Sequence, residues 1–79
     1  MNSAFNADND RRIRKALHAF KRDPSDYNAN RVAQVVNGSG CVYVENKLRD
    51  FVQQMSRHPQ YAGSRYEGYV TNFGQLLDE

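Results

Sequence analysis

Apolar positions along this chain recur at intervals of three and four, in four runs parted by short breaks, two of them marked by proline and one by glycine. In the first run Ile13, Ala16, Leu17 and Phe20 share one face at the 3.6-residue period, and Arg11, Lys15, His18 and Arg22 fall almost directly opposite. This predicts a helix over 8–22, capped by Asp8 or Asn9, whose side chains can accept from the free amides of a first turn. Asp23-Pro24 ends it, because a residue before proline is pushed out of the α region. The second run predicts a helix over 26–36 with Ala29, Val32, Ala33, Val35 and Val36 on its apolar side. Asn37-Gly38-Ser39-Gly40 reads as its stop, with Asn37 or Gly38 taking the left-handed conformation.

The third run holds Cys41, Val44, Leu48, Phe51 and Met55 on one stripe without a slip. It predicts a helix over 40–57 with Ser39 as N-cap and Pro59 as the barrier beyond. A strand at 41–44 is the rival reading, because Cys-Val-Tyr-Val is of β-favouring type; the unbroken stripe favours helix. In the fourth run Ser64-Arg-Tyr-Glu67 matches a capping box, and Tyr66, Tyr69, Val70, Phe73, Leu76 and Leu77 form a broad apolar face, so a helix is expected over 64–77. Gly68 and Gly74 inside it each cost about 1 kcal/mol relative to alanine. A close neighbouring backbone is the expected compensation. The pattern as a whole predicts an all-α fold, a compact bundle of about four short helices. Residues 8–79 would form one domain behind a flexible N-terminus over 1–7, with Leu17, Leu48, Phe51 and Phe73 in its core.

Seventy-nine residues suffice for one small core, so total stability should be about 3–5 kcal/mol. Cys41 is the only cysteine, which excludes an intrachain disulfide and is compatible with a reducing compartment. No window approaches the length of apolar sequence that a membrane span requires. The polar N-terminus lacks a signal-peptide pattern, and a cytoplasmic location is expected. Net charge is +2, unevenly spread. Residues 1–22 carry six basic groups against two acidic ones, and residues 61–79 carry one against three.

Catalytic chemistry is sparse. Enzymes need convergent titratable groups in a pocket, but Cys41 falls on an apolar stripe and His18 and His58 lie far apart, both read as surface positions. One cysteine and two distant histidines do not make a metal cluster. The Asn-Gly-Ser-Gly turn lacks the spacing and the lysine of a phosphate loop. No catalytic, cofactor or metal residue is assigned, and the expectation is a protein that acts by binding.

Two kinds of partner fit. Five tyrosines make the chain tyrosine-rich, and Tyr27, Tyr43 and Tyr61 lie off the apolar stripes, near element ends. Tyrosine and arginine concentrate at energetic hot spots because they join large contact area to directional polar groups. Tyr43, Tyr61, Arg57 and Arg65 are therefore the candidate protein-binding residues of an adaptor or inhibitor, and a homodimer is compatible with the same features. A free-standing chain of this size, beginning at its own methionine, fits the accessory proteins of phages and mobile elements, many of which bind a host protein.

The alternative is DNA. Val32-Ala33, then Gly38, then Val44 and Leu48 resemble the bihelical arrangement of helix-turn-helix readers over about a quarter of the chain, with Ala33 to Gly38 one residue longer than the common spacing. The resemblance implies that helix 40–57 enters the major groove, with Val42, Tyr43, Asn46, Arg49, Asp50 and Gln53 on its exposed side. Asn46, Arg49 and Gln53 would then read bases, and Arg11, Lys15 and Arg22 would sit on phosphates. Asp50 would oppose the negative charge of the duplex.

Overall fold

The computed structural model describes residues 6–58 and 66–78. Its helices are α1 (Ala7–Arg22), α2 (Asp26–Ser39), α3 (Val42–Arg57) and α4 (Glu67–Asp78), with no strand among the described residues. The fold is the expected all-α bundle, and 41–44 is not a strand. The helix ends differ in instructive ways.

Asn6, not Asp8 or Asn9, caps α1: its side chain accepts from the amides of Asp8 and Asn9 at 3.0 and 3.1 Å. Asp8 and Asp10 then fall inside the first turn, where the helix dipole favours negative charge. Asn6 and Ala7 thus belong to the helix entry instead of the flexible N-terminus, and 1–5 lie outside the described residues. The α1–α2 link is fastened from within. Asn28 is buried and donates its amide to the carbonyls of Asp23, at 2.8 Å, and Ala19, at 3.5 Å. Ser25 caps α2 by accepting from the Asn28 amide at 3.3 Å.

α2 runs three residues past the expected stop. Gly38 stays helical, and Gly40, with φ of 56°, takes the left-handed position that Asn37 or Gly38 was expected to take. Ser39 is therefore not the N-cap of the third helix. Its hydroxyl donates to the Val36 carbonyl at 3.1 Å and accepts from the Cys41 amide at 3.2 Å, which closes α2. Cys41 stands at the start of α3 without a side-chain cap bond. The capping serine expected at Ser64 lies outside the described residues.

α1 packs against α2 and α3, and α4 packs against α3 and α2, so α1 and α4 lie diagonally across the bundle. Ile13, Ala16, Leu17 and Phe20 of α1 meet Val32 and Val36 of α2, Val44, Leu48, Phe51 and Met55 of α3, and Phe73 of α4 in a single core. Phe20 is fully buried and reaches across the diagonal. Its ring stands edge-on to Phe51, Tyr66, Tyr69 and Phe73, with centroids 6.1, 6.2, 5.3 and 5.1 Å away. These are favourable geometries for aromatic quadrupoles.

Neither glycine of α4 has a close neighbour, and Gly68, expected inside the helix, is the second residue of its first turn. A Cβ added at Gly68 or Gly74 would meet nothing within 4 Å, so the expected backbone approach is absent among the described residues. Gly74→Ala should accordingly stabilise the fold by about 1 kcal/mol through helix propensity alone. A rise in denaturant midpoint at unchanged slope is the expected readout. A fall would mean that the open space beside Gly74 is filled.

Candidate functional site

Charge and shape are distributed over three exposed surfaces. On α1, Arg11, Lys15, His18 and Arg22 are all exposed and line the side away from the core. Asp8 pairs with Arg11 at 3.8 Å and Arg12 at 3.1 Å, all three side chains being largely exposed. Pairs of this kind contribute little to stability.

On α3, Asn46, Arg49 and Gln53 are exposed on the face opposite the core, and Val42 is 40% exposed among them. Arg49 donates to the Asn46 side-chain oxygen at 2.8 Å. The strip between the α1 and α3 stripes is of mixed charge. It holds Asp10, Tyr43 and Lys47, and the helical period places Asp50 one turn beyond. The two basic sets are thus neighbours on adjacent helices, parted by the covered Asp10–Arg14 pair, Tyr43 and Lys47. Ala33 also departs from the bihelical arrangement: it lines an open groove shared with α4, and the α2–α3 link is only Gly40 and Cys41.

Tyr43 is half-buried, a correction to the exposed position expected of it. Its hydroxyl donates to Asp10, which is almost wholly covered and also pairs with Arg14 at 2.7 Å. The Lys47 ammonium lies 5.3 Å from the Tyr43 ring centre. The Tyr43 hydrogen bond holds the Asp10 carboxyl below its usual range, helped by Arg14 and opposed by burial. The same bond raises the Tyr43 phenol above its usual value. A depressed carboxyl contributes stability above its unfolded-state pKa and loses it as pH falls through the folded value. The chain should therefore weaken in acid below the ordinary carboxylate range, and Tyr43→Phe should lower the melting temperature at neutral pH while shrinking that acid-dependent loss. An acid limb of unchanged size in Tyr43→Phe would show that the coupling is absent.

Of the other candidate residues, Arg57 is exposed as the last residue of α3, while Tyr61 and Arg65 lie outside the described residues. Cys41 is buried. No three histidine, cysteine or acidic side chains among the described residues converge as metal ligands. None of the described helices is long and apolar enough to cross a membrane.

The surface that sequence reasoning missed lies between α2 and α4, which run side by side in the same direction. A groove of about 390 Å³ is lined by Ala29, Ala33, Phe73 and Leu76, with Asp26, Asn30, Asn72 and Tyr69 supplying its polar positions. The Tyr69 hydroxyl donates to Asp26 at 2.6 Å and closes one end. On the outer side of α2, away from the groove, Tyr27 is 71% exposed and the Arg31 guanidinium lies 6.0 Å from its ring centre. One signal was present in the sequence: alanines four apart on α2, which leave a trough on a helix. Comparison with protein-family models, curated proteins and solved structures finds no match.

Proposed function

We propose that this chain is a non-enzymatic binding module of adaptor or inhibitor type, which seats an apolar side chain of another protein in the α2–α4 groove. The observation that carries this reading is the groove itself, apolar between Ala29, Ala33, Phe73 and Leu76 with a polar margin. Small alanine walls leave room for an anchor, and binding energy concentrates where a large side chain fills such a pocket. The reading is set in the cytoplasm, since a lone buried cysteine suits a reducing compartment.

The test is site-specific photocrosslinking in the native host from Asn30, at the groove edge, and from Arg49, on the far face of α3. One dominant adduct from Asn30 and none from Arg49 is the expected result. Ala33→Leu, which fills the groove, should weaken the captured complex by about 2 kcal/mol or more. An adduct with a second copy of the chain would name a homodimer as the assembly. No adduct from Asn30 would remove the groove from consideration.

A second reading draws support from the exposed Asn46, Arg49 and Gln53, which are base-reading types beside an exposed Val42. Under it, fluorescence anisotropy with duplex DNA should show log affinity falling linearly with log salt. Arg11→Ala and Lys15→Ala would each flatten that slope by about 1, and Arg49→Ala would lower discrimination between sites by about 1–3 kcal/mol. Absence of binding at low salt would end it.

A further inference from the structure

We propose that the outward face of α1 is a second docking surface, independent of the groove, and that it takes an acidic helical segment of another protein. α1 carries six basic residues against Asp8 and Asp10, both in its first turn. Beyond those two carboxylates Lys15, His18 and Arg22 continue the stripe begun by Arg11 along the exposed side. A shallow depression beside Leu17 runs between Arg11, Arg14, Lys15 and His18. The stripe follows one line about 16 Å long, the reach of three helical turns. A partner helix with carboxylates at matching intervals would meet every one of these groups.

Charge complementarity chooses the occupant. The partner must be anionic, and the densest run of positive charge lies on α1. Toward α3 it gives way to the covered Asp10, neutralised by Arg14, and to Tyr43, and the outer face of α3 sets Arg49, already bonded to Asn46, beside Asp50. A duplex spans more than one helix, so it would press its remaining phosphates against that mixed strip. A single acidic helix covers the stripe without reaching the strip. Because α1 lies diagonally across the bundle from α4, this face and the α2–α4 groove point to different sides. One molecule can then hold two partners.

The probe is a fluorescein-labelled, alanine-based helical peptide whose four glutamates repeat the spacing of Arg11, Lys15, His18 and Arg22. Its isomer carries the same glutamates spread around the helix. Titrated against the full chain at about 150 mM salt, the striped peptide should bind about tenfold more tightly than the isomer. Lys15→Glu combined with Arg22→Glu should abolish the difference with an unchanged thermal melt. Asn30→Lys, at the groove edge, should leave it intact. Amide shifts induced in the wild-type chain should be confined to α1. Equal binding of the two peptides, shifts centred on α3 or the groove, or a duplex of equal charge displacing the striped peptide at equimolar concentration would overturn the proposal. The test is separate from that of the groove: peptide binding sensitive to Lys15 and Arg22 stands even if Asn30 crosslinks to nothing.

Discussion

Phe20→Ala should leave the chain largely unfolded at room temperature. Phe20 is fully buried and stands edge-on to four aromatic rings drawn from α3, α4 and the residue preceding α4. Truncating a buried phenylalanine costs about 3–5 kcal/mol, through lost transfer energy and the cavity left behind. A core this small supplies about 3–5 kcal/mol in all, so the loss equals the whole. Far-UV circular dichroism without a cooperative thermal transition is the expected result. A melt close to that of the wild type would show that the ring cluster does not organise the fold.

Phe73→Ala should cost a similar amount, about 3–5 kcal/mol, by a different route. Phe73 is the one wholly buried residue of α4 among those described, and it meets Phe20 at 5.1 Å. It is also a wall of the groove. Phe73→Leu, which keeps most of the buried volume, should restore cooperative unfolding. If Phe73→Ala unfolds with near wild-type midpoint and slope, α4 is docked by something other than its buried ring.

The helices were legible because each core stripe keeps a 3.6-residue period: Ile13 to Phe20, Val44 to Met55 and Tyr66 to Leu77 announce themselves without reference to one another. Their ends were less legible, for local reasons. Asn6, Asp8 and Asn9 are all good caps, and only the realised geometry chooses Asn6. Gly38 looked like the end of α2, yet burial of Val36 and the Ser39 bonds carry the helix to Gly40. The surfaces were legible in part. The α1 stripe and the outer residues of α3 followed from helical phase alone. Tyr43 did not, because its partner Asp10 is thirty-three residues away in sequence. The groove did not either, since which helix Ala33 faces depends on how α2 is rotated against its neighbours.

The open surroundings of Gly68 and Gly74 have a consequence for motion. Two glycines without compensating contacts, one wholly buried side chain and half-exposed Leu76 and Leu77 make α4 the least secured of the described helices. Local opening free energies follow buried contacts, so α4 should detach and re-dock many times for each global unfolding event. Its amides should exchange with solvent well before those around Leu48 and Phe20. The groove therefore has one firm wall, α2, and one that breathes, and anything seated there lowers the rate of α4 exchange by holding it shut.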